Sequence, residues 1–266
     1  MTTSGGIEGD GRLLILAADH RARGVPTVER YDDYLAALRA AMAHCDGILA
    51  TAQPLGDIAG SDIAGSDIAG DGGLGRDVRT YLSLNRTGLA GSAFELDDRL
   101  VATVGRAAAD GWTGVKLMTR IAPDDSHGAA ALELLGRVLE EARSAKMEAL
   151  IEPIFWRDGA MSRAPDDIVL AAIIAHDIGS PLLKVPVPFV PAGPHRIAAV
   201  RRVVESVGVP VLFLGGPLQV VGAPVDQVAQ DVIDGGGAGL AVGRAIIEDP
   251  DPAGVATRLA AIVHPG

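Results

Sequence analysis

Cysteine is almost absent. Cys45 is the one thiol in 266 residues, so no intrachain disulfide can form, and an intracellular, cytoplasmic location is the expectation. Aromatic residues are scarce too, at 3% of the chain, which leaves the core to Ala, Val, Leu and Ile; with 48% hydrophobic residues, one large core is well supplied. Basic runs are missing. With a net charge of −11 and no Lys/Arg block, neither nucleic acid nor an anionic membrane is the expected partner, while a small anionic substrate in a local pocket stays open. No apolar run approaches the roughly 20 residues that span a bilayer. Residues 1–11 are polar and glycine-rich, with neither a basic segment nor an apolar signal core. Metal signatures are also lacking. The histidines, His20, His44, His127, His176, His195 and His264, form neither His-x-His nor His-Glu-x-x-His, so no metal and no cofactor is expected. Cys45 has no evident His partner, which argues against a thiol nucleophile.

What the chain does have is alternation. Residues 13–18, 47–51, 78–84, 114–118, 148–153, 180–188, 209–214 and 239–242 read as strands. Apolar runs of this kind suit strands covered on both faces. Helical spacing fills nearly every interval, over 32–44, 97–109, 128–145, 166–178, 195–207, 225–234 and a last helix through Leu259. Eight such units predict a single closed (β/α)8 TIM barrel over 12–266, preceded by a flexible segment 1–11. A dinucleotide-binding fold would place Gly-x-Gly-x-x-Gly after the first strand, where Asp19-His20-Arg21-Ala22-Arg23-Gly24 stands instead. Between strands two and three, over 56–75, Asp-Ile-Ala-Gly occurs three times with a period of five. That period puts the isoleucines on one face of neither a helix nor a strand, so a surface loop or a frayed short helix is expected.

In such a barrel the active site lies at the C-terminal ends of the strands. Four ionisable residues fall there: Asp19 after strand one, Lys116 on strand four, Glu152 on strand five and Lys184 on strand six. Lys184 stands in the run Ser180-Pro181-Leu182-Leu183-Lys184-Val185-Pro186-Val187-Pro188. Desolvating an ammonium is costly, so a lysine inside a buried strand has either a partner or a job. Burial beside a second cation favours the neutral, nucleophilic amine. Strands four and six share parity, and alternate strands fill the same interior layers, so Lys116 and Lys184 are expected to approach one another. Asp19 and Glu152 add carboxylates for charge balance and proton transfer. This set suits imine chemistry: the amine attacks a carbonyl, the protonated imine withdraws electrons, and the adjacent C–C bond breaks to leave an enamine. Each residue taken alone is equally well a salt-bridged rim residue. A second constellation, Gly215 and Gly216 after strand seven with Gly243 and Arg244 after strand eight, makes a glycine-bare surface suited to phosphate. Tight turns alone would also account for those glycines.

These motifs resemble the class I (Schiff-base) aldolases of the tagatose-1,6-bisphosphate aldolase group. Their superfamily includes archaeal-type fructose-bisphosphate aldolase and deoxyribose-phosphate aldolase. Asp19-His20-Arg21 resembles the family's Asp-Gln-Arg, and Asn85-Arg86-Thr87-Gly88 its Glu-Lys-Thr-Gly. Gly114-Val115-Lys116 resembles its strand-four Val-Lys, Glu152-Pro153 its strand-five Glu, and Gly243-Arg244 its strand-eight Gly-Arg. Leu183-Lys184-Val185-x-Val187-Pro188 resembles the segment that holds the Schiff-base lysine.

The resemblance implies a lyase acting on a phosphorylated ketose. Lys184 would form the imine, Asp19, Lys116 and Glu152 would line the site, and Gly215, Gly216, Gly243 and Arg244 would lie near phosphate. The partner expected is a small carbonyl or sugar-phosphate substrate, and a homo-oligomer is compatible with it. There are departures: His20 replaces Gln, Pro186 stands where relatives have an acidic residue, and no tyrosine falls at a strand end. The proton-transfer residue therefore stays open among Asp19, Lys116 and Glu152. Two other classes fit the same residues, a sugar-phosphate-binding barrel without catalysis and a sugar-phosphate isomerase or epimerase.

Overall fold

In a computed structural model, residues 10–25, 28–62, 78–85, 99–125, 128–215 and 222–265 are described. Strands Leu13–Ala18 (β1), Gly47–Ala50 (β2), Arg79–Ser83 (β3), Gly114–Ile121 (β4) and Glu148–Arg157 (β5) run parallel. The two-residue strand Ala160–Met161 (β6) folds back antiparallel on the end of β5. Strands Leu182–Pro186 (β7), Val211–Gly215 (β8) and Gly239–Val242 (β9) continue the parallel sheet, and β9 pairs with β1 to close it. The result is the eight-stranded (β/α)8 barrel expected, with β6 as an appendage. Around it lie Tyr31–Met42 (α1), Ala52–Asp62 (α2), Val104–Ala109 (α3), Gly128–Ser144 (α4), Pro165–Ile178 (α5), Pro194–Glu205 (α6), Val225–Asp234 (α7), Arg244–Ile247 (α8) and Pro252–Val263 (α9). Among the described residues no helix is long and apolar enough to cross a membrane.

The pleat divides each strand between two apolar layers. Leu14, Leu16, Val115, Leu117, Leu183 and Val185 face outward into the packing between barrel and helices. Leu13, Ile15, Leu49, Tyr81, Leu150, Leu182 and Leu212 form a separate cluster that fills the barrel. Each such side chain removed from water contributes about 1.5–3 kcal/mol before chain entropy is charged against it. One step of two residues beyond this plug, the inward positions turn polar. Tyr81 is followed by Ser83, Gly114 by Lys116, Leu150 by Glu152 and Leu182 by Lys184. The plug thus forms the floor of a polar mouth.

The structure sharpens the sequence reading at several segments. The helix expected over 97–109 begins only at Val104 among the described residues. The Thr103 hydroxyl caps it by accepting from the Arg106 backbone N–H at 3.1 Å. The N–H groups of Val101 and Ala102 are instead tied to the Leu84 carbonyl, at 2.7 and 3.2 Å. Strand β5 runs on to Arg157, turning through Asp158 and Gly159 at φ 52° and 74° into β6; two positive-φ residues are what a two-residue hairpin turn needs. The first Asp-Ile-Ala-Gly copy lies in α2, where Ile58 is 6% exposed and Asp57 accepts from Tyr31 Oη at 2.6 Å. Residues 63–75 of that segment, and residues 1–9, lie outside the described residues.

The C-terminus is stapled to the start of β1. His264 Nδ1 is 3.0 Å from Asp10 Oδ2 and its Nε2 is 2.9 Å from Asp46 Oδ2, which also accepts from the Leu14 N–H at 2.7 Å. Burial alone would lower the His264 pKa, but the hydrogen bonds to Asp46 and Asp10 outweigh it and raise it above 6.5. Burial likewise opposes ionisation of Asp10, yet His264 and the Arg12 N–H hold it below 3.8. The imidazolium contribution is complete below pH 6.5 and is lost as pH rises through the raised value, while the Asp10 contribution is lost as pH falls below about 4. Both groups are solvent-facing, so the effect is under about 1 kcal/mol. Melting curves should show His264→Gln closing most of its deficit, about 1–2 °C, as pH is raised from 6 to 9. A deficit that stays constant over that range would contradict the staple.

Candidate active site

The chain contains three lysines, Lys116, Lys146 and Lys184. Lys146 is exposed, whereas Lys116 and Lys184 are 3% and 2% exposed inside the mouth. The register from β4 through β5 to β7 sets Glu152 between them. Glu152 Oε2 lies 2.7 Å from Lys116 Nζ and 3.0 Å from Lys184 Nζ. Lys116 Nζ also donates to Asp19 Oδ2 at 3.0 Å, and the same oxygen accepts from Ser83 Oγ at 2.9 Å. Asp19, Lys116, Glu152 and Lys184 therefore form one chain of alternating charge. The sequence reading named all four; the structure adds Ser83, whose inward position on β3 was hidden because serine is small and ordinary at a strand end.

Burial would drive these four groups neutral, and their mutual attraction opposes it. Desolvation raises the Asp19 carboxyl, but Lys116 and then Lys184 hold it far below the usual carboxylate range. Glu152 is desolvated as well and is nonetheless drawn down to about 2 by Lys116 and Lys184. The Lys116 ammonium, which burial alone would weaken, is pushed above the ordinary lysine range by Asp19 and Glu152. The two lysines are not equivalent. Lys116 is clamped between two carboxylates; Lys184 ends the chain with one.

Asn85 holds β4 beside this chain. Its Nδ2 donates to the Met118 carbonyl at 2.7 Å, and its Oδ1 accepts from the Met118 N–H at 2.9 Å. His20 stands in the 3-10 turn His20–Arg23 that follows β1, with Nδ1 3.9 Å from Asp19 Oδ1. Arg21 of the same turn lies 4.8 Å from the Tyr34 ring centroid and donates to the Val28 carbonyl. The tyrosines sit away from the lysines: Tyr81 Oη donates to Glu148 at the opposite end of β5, and Tyr34 Oη donates to the Ala18 carbonyl at 2.8 Å.

The second constellation is partly described. Gly215 ends β8, Gly243 precedes α8, Arg244 opens α8, and Gly216 lies outside the described residues. A Cβ on Gly243 would sit 2.2 Å from the Ala17 carbonyl oxygen, and one on Gly215 2.7 Å from Val242 Cγ2. Close approach of neighbouring strands is thus enough to require both glycines. Cations carry the anion reading further than glycines do. Arg244 is half-buried, and among the described residues it has no ion-pair partner. Arg163, in the loop after β6, has a buried guanidinium nitrogen, Nη1, with no hydrogen-bond partner among the described residues. Burial, and then the charge of Arg244, press the Arg163 guanidinium below its ordinary value. The Arg163 carbonyl accepts from the Phe189 N–H at 2.9 Å, which ties its loop to the segment after β7. The sequence reading passed over Arg163 because it lies at no strand end.

The fold is a closed (β/α)8 barrel, and the solved structures similar to it include aldolases. The family model described as Cgl0159-like matches residues 11–262, and the chain belongs to that family. Its structure is similar to that of Cgl0159 from Corynebacterium glutamicum, with a TM-score of 0.77 and 27% identity over 98% of this chain and 88% of that one. An archaeal fructose 1,6-bisphosphate aldolase superposes with a TM-score of 0.75 and 22% identity, covering 96% of this chain and 95% of its own. An archaeal fructose-1,6-bisphosphate aldolase with its catalytic Lys covalently bound to a carbinolamine intermediate gives 0.72 and 23%, over 95% and 94%. At these identities the aldolase structures establish the fold. Among curated proteins, 2-amino-4,5-dihydroxy-6-oxo-7-(phosphonooxy)heptanoate synthase of Streptomyces griseus is 30% identical over 102 residues, 38% of this chain and 35% of its own length. The match therefore spans about a third of that relative.

The charge chain makes a stability prediction. Lys116→Met leaves Asp19 without its only lysine hydrogen bond and removes one of two from Glu152; Lys184→Met leaves both carboxylates on Lys116. Breaking a buried pair costs about 3–5 kcal/mol, so Lys116→Met should lose at least that in urea unfolding and Lys184→Met clearly less. Equal losses would show that the four groups do not act as drawn.

Proposed function

We propose that this protein is a class I aldolase that makes or breaks a C–C bond of a phosphorylated ketose through a Schiff base on Lys184. The observation that carries the reading is the asymmetry of the two buried lysines. Lys116 is held as a cation by two carboxylates, while Lys184 has one partner and faces the mouth. As a neutral amine Lys184 attacks the ketone carbon; the carbinolamine hydroxyl then takes up one proton and leaves as water, giving a protonated imine. In cleavage, the bond between the α and β carbons breaks as the β-hydroxyl gives up its proton. The electron pair flows to the iminium, leaving an enamine on Lys184 and a free aldehyde. Protonation of the enamine and hydrolysis release the ketone. Lys116 supplies fixed positive charge beside the reacting oxygen, and Asp19 and Glu152 balance the charge of both lysines.

The names of the similar proteins bear on the substrate. Fructose 1,6-bisphosphate and 2-amino-4,5-dihydroxy-6-oxo-7-(phosphonooxy)heptanoate both carry a ketone beside a phosphorylated terminal carbon, followed by two hydroxylated carbons. Breaking the bond between those two carbons yields dihydroxyacetone phosphate and an aldehyde in each case. We take dihydroxyacetone phosphate as the ketone half, with its phosphate at Arg244, Arg163 and the backbone near Gly215, Gly216 and Gly243.

Borohydride added with dihydroxyacetone phosphate should abolish activity and add one reduced adduct to the intact mass. Lys184→Met should form no adduct and lose aldol activity by on the order of 10³-fold or more. Substantial turnover by Lys184→Met would instead favour an isomerase or epimerase, which needs only a carboxylate base. Binding of sugar phosphates without any adduct would favour a non-catalytic barrel. For the anion site, Arg244→Met should raise KM for dihydroxyacetone phosphate by about 10- to 100-fold, and that for unphosphorylated dihydroxyacetone much less. Equal effects on the two would place the phosphate elsewhere.

A further inference from the structure

We infer that His20 is the proton shuttle of imine formation, taking a proton from Lys184 and returning it to the carbinolamine hydroxyl as that group leaves. The inference rests on the Lys184 imine proposed above and answers the question that the sequence left open among Asp19, Lys116 and Glu152.

Those three are already engaged. Asp19 Oδ2 accepts from Lys116 and Ser83, Glu152 Oε2 accepts from both lysines, and Lys116 spans the two carboxylates. Carboxylates held so far down are weak bases for an amine. His20 is different. Its Nδ1 is buried and has no hydrogen-bond partner among the described residues. Asp19 Oδ1, at 3.9 Å, is too distant to hydrogen-bond with it. A buried ring nitrogen left without a partner is costly, and such groups are uncommon unless they have a task.

The ring is also held in place. Its turn is pinned by Arg21 against Tyr34, which in turn bonds the Ala18 carbonyl at the end of β1. A Cβ at Gly243 would lie 3.2 Å from His20 Cε1, so the imidazole packs over bare backbone beside Arg244. Four charged groups act on it through space: Asp19 beside it at the end of β1, Lys184 on β7, Arg244 on α8 and Glu152 on β5. Burial favours the neutral ring, Asp19 and Glu152 oppose that, and Lys184 and Arg244 reinforce it; the net direction is below 6.5. A neutral imidazole is ready to accept a proton near pH 7.

The step balances. The Lys184 ammonium gives one proton to the imidazole, and the neutral amine bonds to the ketone carbon. The second amine proton moves to the former carbonyl oxygen, giving the neutral carbinolamine. The imidazolium then protonates the hydroxyl, the C–O bond breaks, and water leaves a protonated imine and a neutral His20. No oxidant or further reactant is required.

The test is a rapid-quench time course with dihydroxyacetone phosphate and borohydride, across pH, on the unaltered protein, His20→Gln and His20→Asn. The expected result is imine formation slowed about 100-fold in both variants, with the final yield of adduct on Lys184 unchanged. The unaltered rate should also fall off below an apparent pKa under 6.5, and that limb should be missing from both variants. A variant that forms the imine at the unaltered rate overturns the assignment. So does a slowed variant that keeps the pH limb, since His20 would then only position its neighbours. If the unaltered protein forms no adduct, the imine proposal itself fails and this one with it.

Discussion

One carboxylate oxygen organises the mouth of this barrel. Glu152 Oε2 meets both buried ammonium groups, at 2.7 Å from Lys116 and 3.0 Å from Lys184. Two cations so close inside a protein are tolerated only because Asp19 supplies a second carboxylate on the far side of Lys116. The set is neutral as a whole, and removing any member leaves a buried charge uncovered. On the imine account this neutrality survives the chemistry. A protonated imine carries its positive charge on the nitrogen where the ammonium had it, so Glu152 keeps a cationic partner from the resting state to the adduct.

The fold produces that arrangement through pleat and register. Two-residue alternation fills the lower barrel with Leu13, Ile15, Leu49, Tyr81, Leu150, Leu182 and Leu212. The next inward position on β3, β4, β5 and β7 then becomes polar. The apolar plug excludes water from below, which strengthens the electrostatics above it. Close contact between strands continues round to β9 and β1, where Gly243 lets the chain pass against the Ala17 carbonyl and under His20. Beyond it stand Arg244 and Arg163, two cations close enough for the charge of one to depress the other.

Much of this was legible in the sequence. The barrel follows from eight apolar runs separated by helical spacing, and Asp19, Lys116, Glu152 and Lys184 stand out because each interrupts or ends such a run. The shared oxygen was not legible, because it depends on how β4, β5 and β7 are staggered, and stagger is a property of the closed sheet. Arg163 was missed because it lies in a loop whose place is set by the β5–β6 hairpin. The late start of α3 reflects competition that periodicity does not register: Thr103 caps the helix while Val101 and Ala102 are bound to Leu84. Gly215 and Gly243 were ambiguous as sequence, and in the structure the close approach of neighbouring strands is enough to require both.

The central claim is that, of two buried lysines sharing one carboxylate, only Lys184 is free to react. Peptide mapping of the borohydride-reduced adduct with dihydroxyacetone phosphate tests it most directly, since the chain offers only Lys116, Lys146 and Lys184. The account predicts label on the peptide carrying Lys184 and none on the other two. Label on Lys116 would contradict it.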